Sequence, residues 1–275
     1  MEKISWILAP ENPEIELQFD SLKFCRRQDS EHQKDLEEFI ETNWQSKCSE
    51  NSRLYNASKF RLHKFNVESN KVQLQIGLTS YKELLGTHYY PKLELINEES
   101  KAKNFEDFAF MSNCLGVGAI AITDDNYVIL QRRAKWTGES PGKIDRPGGH
   151  PEPSNVKNLN SVDILAEIFK SPQEELRDEV NIDLDLQSAP KLLGVVRDLE
   201  HGGRCALDFV IDVKLNKTEV LQKYKSGHQS EADESTELIF VEKSQVENWN
   251  FPDDLAMNLT AHAVAGLRLL HLSLK

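Results

Sequence analysis

Glu174-Glu175-Leu176-Arg177-Asp178-Glu179-Val180-Asn181-Ile182 sets four carboxylates into one short stretch. Ser171 and Glu174 have the spacing of a capping box, with Pro172 at the first helical position, so the sequence predicts a helix from Pro172 to Val180. On that helix Glu175 and Glu179 stand one turn apart on the same face, with Asp178 beside them. Like charges at that spacing cost about 0.2–0.5 kcal/mol. Asp178 and Glu179 also fall near the negative end of the helix dipole. A hard divalent cation offsets such repulsion, because clustered carboxylates are what Mg2+ or Mn2+ selects. The alternative is a solvated acidic face in an acidic protein.

A second stretch lies upstream. Pro147-Gly148-Gly149-His150-Pro151-Glu152-Pro153 is a stiff loop whose diglycine lets backbone come close to a ligand, and it follows Arg132-Arg133. The elements that must carry these stretches are partly legible. Ser30 to about Ser46 reads as an amphipathic helix, with Leu36, Phe39, Ile40 and Trp44 on one stripe and Ser30/Gln33 at capping-box spacing. Phe60 to Val67 and the alternating Val72, Leu74 and Ile76 read as strands joined through Ser69-Asn70. Gly77 to Gly86 leads into a short helix, and the charged segment from Asn97 to Asp107 reads as a connector. Leu115 to Thr123, Tyr127 to Gln131, Leu192 to Val196, Ala206 to Val213 and Leu238 to Glu242 are further strands. Asp254 to Leu270 reads as one helix. The mixture is α+β in class.

Composition bounds the partners. The 275 residues carry 45 acidic and 33 basic side chains, a formal net charge of −12. That balance argues against a general nucleic-acid binder, which needs surplus Lys and Arg. Cys25, Cys48, Cys114 and Cys205 form no CxxC pair, so neither a zinc site nor a disulfide framework is expected. The first residues lack the apolar core of a signal peptide, and no apolar run is long enough to span a membrane. The expected compartment is therefore the reduced interior of the cell, and the glycosylation matches at Asn56, Asn216 and Asn258 read as accidental. Gly116-x-Gly118-x-x-Ala121 lies inside a strand-like run with no helix behind it, which argues against a dinucleotide fingerprint. No G-x-S-x-G elbow is present.

The loop and the acidic helix together resemble the Nudix box, G-x5-E-x7-R-E-U-x-E-E-x-G-U, with U aliphatic. Gly149 matches the leading glycine, Glu175, Asp178 and Glu179 the core acids, and Ile182 the last aliphatic residue. The chain departs from the box in three ways: a longer segment between His150 and Lys170, Glu174 in place of Arg, and Asn181 in place of Gly. Asn tolerates the left-handed conformation of a helix C-cap. The missing Arg means that the glutamates must be oriented by another residue.

Further segments resemble the UDP-sugar diphosphatase (UDP-glucose pyrophosphatase) branch of that superfamily. They are Lys59 to His63, Leu78 to Tyr81, Leu85-Gly86-Thr87, Leu115 to Ala119, Pro147 to Pro153, Asp178 to Asn181 and Glu234 to Thr236. The resemblance implies a Nudix α/β/α sandwich with a mixed sheet over residues 113–275. A smaller α/β region, residues 1–112, precedes it and contributes to substrate recognition. It implies Mg2+-dependent (or Mn2+-dependent) hydrolysis of UDP-glucose or UDP-galactose to UMP and sugar 1-phosphate, in the cytoplasm or also the nucleus, with no nucleic-acid or membrane partner.

By the same resemblance Glu175 and Glu179 are catalytic metal ligands, Asp178 is an outer member of the metal set, and Glu234 is a candidate general base. Substrate contacts fall at Tyr55, Tyr81, Arg133, Gly138, Asp145, His150, Glu152 and Thr260. Each role has a plain structural alternative: a core aromatic for the tyrosines, a surface salt bridge for Arg133, a structural loop histidine for His150 and a cap for Glu234. Other activities compatible with the box are hydrolysis of ADP-ribose or a capped nucleotide, or UDP-sugar binding without catalysis.

Overall fold

The computed structural model describes residues 4–21, 27–137 and 140–275; Cys25 and Gly138 lie outside them. The first part of the chain forms β1 (Ile4–Leu8), β2 (Glu14–Phe19), α1 (Gln33–Glu50), β3 (Ser58–Glu68), β4 (Lys71–Ser80), α2 (Tyr81–His88) and α3 (Leu93–Ala102). The remainder forms β5 (Leu115–Thr123), β6 (Tyr127–Arg133), β7 (Ile144–Asp145), β8 (Gly148–Gly149), α4 (Ser161–Val180), β9 (Lys191–Asp198) and β10 (Arg204–Val213). It closes with α5 (Lys217–Lys225), β11 (Ser235–Glu242), α6 (Lys243–Glu247), α7 (Asp253–Asn258) and α8 (Ala261–Ser273).

The large sheet is mixed, in the order β1-β9-β10-β5-β6-β11, with β7 on β6 and β8 on β5. Its β10–β5 pair is parallel, whereas β1–β9, β9–β10 and β6–β11 are antiparallel. The central strand β5 is buried along its whole length, which is why it reads as an unbroken apolar run rather than an alternating one. One face packs on the C-terminal half of α4 and on α5 through Ala119, Ala121, Leu176, Val180 and Val220. The other face packs on α8 through Ile120, Val128, Ala265, Leu267 and Leu269. Helices on both faces of one mixed sheet make the α/β/α sandwich.

The second sheet, β2-β4-β3, belongs wholly to the N-terminal part. Its Phe60, Leu62, Val72, Leu74 and Ile76 share a core with Ile164 and Ile168 of α4 and with Leu115 and Val117 of β5. The N-terminal part therefore packs on α4 and on β5, the strand that holds the glycine loop. It also supplies β1 as an edge strand of the large sheet.

Several elements differ from the sequence reading, each for a local reason. The acidic helix does not begin at Pro172. It begins at Ser161, where the Asn160 side chain accepts from the Val162 and Asp163 N–H groups, and Pro172 lies inside it. An internal proline costs a backbone hydrogen bond, but Ile164, Ile168, Leu176 and Val180 bury both halves of the helix and hold it continuous. Ser30 does not cap α1; its hydroxyl donates to Glu99 across the fold. The expected connector from Asn97 overlaps the second half of α3, a helix whose Ile96 is fully buried beside Phe110 and Met111. The single C-terminal helix is two, α7 and α8, separated because Thr260 leaves helical geometry to cap Ala263. Asn181 does adopt the left-handed conformation, at φ 67°, as a C-cap. Among the described residues, no helix is long and apolar enough to cross a membrane.

Candidate active site

The glycine loop is fixed by β5. Gly148 pairs with Gly118 and Gly149 with Val117, and the Ala119 N–H donates to the Pro147 carbonyl. A Cβ on Gly148 would lie 2.4 Å from the Val117 carbonyl oxygen, and one on Gly149 would lie 2.1 Å from Glu175 Oε1. Only glycine lets the loop lie this close to both the strand and the helix. The contact has a consequence for the acids, because the Gly148 N–H donates to Glu179 Oε2 at 2.9 Å. Gln131 of β6 hydrogen-bonds the same carboxylate and the Arg133 charge faces it. These groups do the orienting that the absent box Arg leaves open.

A third glutamate, Glu231, joins from the loop before β11. Its N–H donates to the Asp178 carbonyl at 2.8 Å, which ties that loop to the end of α4. Carboxylate oxygens of Glu175, Glu179 and Glu231 then lie within 4.8 Å of one another. Burial pushes all three up: Glu175 well above its ordinary range and Glu231 to about 7, with neighbouring acids adding to both, and Glu179 to about 8 against the opposing Gly148 N–H, Gln131 and Arg133. Glu234 is also raised by burial, with Arg133 opposing the shift. A donor set of three converging carboxylates that repel one another fits a hard divalent cation, which removes both penalties at once.

The acids open on a cavity of about 1290 Å³, larger than the roughly 300–1,000 Å³ of an ordinary small-molecule site. It runs along one end of the large sheet. Arg133 and Glu234 line it at the β6/β11 side, and Asp145, His150 and Glu152 stand on or beside the glycine loop. Thr260 enters from the start of α8, where its Oγ1 accepts from the Ala263 N–H. Tyr55 and Tyr81 come from the N-terminal part. Tyr55 is 70% exposed, while Tyr81 stands edge-on to Trp44 with ring centroids 6.3 Å apart. Asp178 is not among the cavity residues. Arg177 donates to it twice, at 2.8 and 2.6 Å, and this pairing holds its carboxyl below the usual range. Glu174 likewise pairs with Lys170, at 2.8 Å. Gly138 lies outside the described residues.

Other residues of the site carried no signal in the sequence. Lys59 of β3 pairs with Glu152. Glu167, buried on α4, accepts from the Glu152 N–H at 3.3 Å and from Asn155 Nδ2 at 3.0 Å, and so braces the loop. Arg146 is buried between Asp208, whose Oδ1 takes Nε at 2.9 Å and Nη2 at 2.7 Å, and Asp145. That triad fixes the chain where it enters the glycine loop. Glu231 lies in the acidic run Glu231-Ala232-Asp233-Glu234, which gave the only hint of it.

The chain is similar to proteins of known description. It is 34% identical over 216 residues to uridine diphosphate glucose pyrophosphatase NUDT22 of Mus musculus, covering 74% of this chain and 70% of that protein. The Homo sapiens protein of the same description is 33% identical over 224 residues, with 77% and 74% covered. Nudix hydrolase 9 of Arabidopsis thaliana is 29% identical over 227 residues, with 74% and 71% covered. Among solved structures, a MutT protein from Methanosarcina mazei Go1 aligns at a TM-score of 0.36 and 18% identity, covering 58% of this chain and 94% of that one. No family model matches the chain.

Proposed function

The chain belongs to the Nudix hydrolases, in the branch of the uridine diphosphate glucose pyrophosphatases, and from that premise we propose that it hydrolyses the pyrophosphate of UDP-sugars to UMP and sugar 1-phosphate. The observation that carries the reading is the carboxylate set Glu175, Glu179 and Glu231, which faces a cavity of about 1290 Å³, roomy enough for a ligand of several parts. The cation is Mg2+, with Mn2+ as a substitute. When bound, it offsets the charge that grows on the phosphoryl oxygens. Glu175, Glu179 and Glu231 hold it, and Asp178 takes an outer role.

The chain's own residues do the rest. Arg133, on the same side of the cavity as the acids, binds the diphosphate with a fork of donors. Glu234 takes the proton of the attacking water; burial raises its pKa, which makes its carboxylate a stronger base. Asp145, Glu152 and Thr260 contact substrate along the loop and the start of α8, and Gly138 is a further contact by resemblance alone. Tyr55 and Tyr81 hold the uracil ring, for which stacking on an aromatic supplies about 1–3 kcal/mol per base. Residues 1–112 act as a substrate-recognition region, which is supported by Tyr55, Lys59, Tyr81 and His88 on the cavity wall. The setting is the reduced cytoplasm, in keeping with free thiols at Cys48, Cys114 and Cys205.

The test is product analysis by phosphorus NMR after incubating UDP-glucose with the protein and Mg2+ in oxygen-18 water. The expected products are UMP and glucose 1-phosphate, with label on one of them. No cleavage with either Mg2+ or Mn2+, or cleavage of ADP-ribose in preference to UDP-glucose, would overturn the reading.

A further inference from the structure

The other end of the cavity is built from different chemistry. His88 closes α2, His150 follows the glycine loop, and His262 opens α8. All three line the cavity, with Arg204 at the start of β10 and His201 in the β9–β10 connection. His88 and His262 are more than nine-tenths buried, at 5% and 8% exposure. His262 Nδ1 and Nε2 and His150 Nε2 have no hydrogen-bond partner. Neither ring nitrogen of His88 makes a hydrogen bond of ordinary length and angle, although the His201 main chain lies beside it.

A buried polar atom without a partner is destabilising, so five in one chamber call for a partner. The chamber says what kind. Desolvation and the Arg204 charge hold His88, His150 and His262 neutral. A neutral imidazole offers one donor and one acceptor. A metal ion uses only acceptors, and among the described residues these histidines form no metal-binding group. A phosphate uses only donors and would meet Asp198, which lines the same end. A hydroxyl both donates and accepts, and a ring of hydroxyls matches several imidazoles together.

The position agrees with the chemistry. Tyr81 and His88 are the two ends of α2, about 10 Å apart along the helix. A ligand with its base at Tyr81 and its diphosphate at the acids therefore has its remaining part free to enter the histidine end. We infer that His88, His150 and His262 form the sugar subsite and read the hydroxyls of the hexose, an inference that rests on the UDP-sugar reading above. His88 and His262 are its new members and set which sugar is accepted.

The test compares UDP-glucose with methyl-UDP, which keeps the base, ribose and diphosphate diester but has no hexose hydroxyls. Affinities are measured by titration calorimetry on the full chain in Ca2+. The wild-type protein is expected to prefer UDP-glucose. His88→Phe and His262→Leu should each lower that preference about tenfold, the loss of one or two hydrogen bonds. His88→Gln and His262→Gln, which keep a donor and an acceptor, should retain most of it. Methyl-UDP affinity reports that the site is still folded. Equal wild-type affinities, parallel loss of both ligands, or a preference unchanged in both apolar variants would overturn the inference. UMP release by the wild-type protein is read alongside. Its absence with the preference intact removes the hydrolase reading alone; its presence with the preference unchanged in the variants removes the sugar subsite alone.

Discussion

At the β6/β11 end of the cavity, burial pushes carboxylates up, Glu179 to about 8 and Glu231 to about 7; at the β9/β10 end it pushes imidazoles down, His88 to about 3. Desolvation disfavours charge at both ends, yet the two ends want opposite things. The acids repel one another, with Arg133 and Lys59 opposing them. Their penalty is removed by a cation from solution. The histidines already have Arg204 and need no further charge. Their unpaired nitrogens are satisfied by a neutral polar group. One cavity thus combines a site for charge with a site for hydroxyls, which suits a ligand that is anionic in the middle and polyhydroxylic at one end.

The comparison breaks most readily at the acids. Glu179→Gln or Glu175→Gln should reduce UMP release from UDP-glucose by orders of magnitude, while thermal unfolding shows a fold as stable as the wild type or more so. A buried glutamine relieves like-charge repulsion and leaves shape intact. Normal turnover in a folded Glu179→Gln protein would remove the metal role from that end.

Next comes pH. Glu179 titrates at an ordinary 4.5 when unfolded and at about 8 when folded, so between those values the folded state binds a proton that the unfolded state has lost. Stability of the metal-free protein should therefore fall as pH rises from 4.5 toward 8, and Glu179→Gln should flatten the slope. Because the cation requires the deprotonated acids, its stabilising effect should grow over the same window. Denaturant melts with EDTA or with Mg2+ check both signs. His88, at about 3 when folded and 6.5 when unfolded, opposes this slope below 6.5, so His88→Phe should steepen the fall between 4.5 and 6.5 and leave it unchanged above 6.5.

A smaller effect separates positioning from chemistry. In Gly149→Ala the added methyl meets the end of the Glu175 side chain, which can swing away. Activity should fall tenfold or more with little change in melting temperature. Gly148→Ala meets the Val117 backbone, so it should cost stability as well. Smallest is Asn160→Ala, which removes the cap of α4; a loss of about 1 kcal/mol in a denaturant melt, with turnover per folded molecule unchanged, is expected.

The two ends also differed in how far the sequence revealed them. Glu175 and Glu179 were legible because one helical turn joins them, and Asn181 because a C-cap tolerates few residues. Glu231 was not, since tertiary hydrogen bonds to Asp178, from the Glu231 N–H and from Ser230, bring its loop to α4. The start of α4 was missed because Ser171 and Pro172 imitate a helix start, whereas Asn160 is the cap. The histidine end was the least legible. His88, His150 and His262 come from three distant segments, and no periodicity links them until α2, the glycine loop and α8 meet at one sheet end. Strands such as β5 were plain, because a central strand buried on both faces has an apolar run of its own.

Glu175, Glu179 and Glu231 are together expected to seat a divalent cation. Titrating the full chain with Mn2+ and following free Mn2+ by electron paramagnetic resonance tests it most directly. Saturable binding by the wild-type protein is expected, with at least tenfold weaker binding by Glu179→Gln and Glu231→Gln and with His262→Leu binding as the wild type does. Equal Mn2+ affinity in the wild-type and both glutamine variants would contradict it.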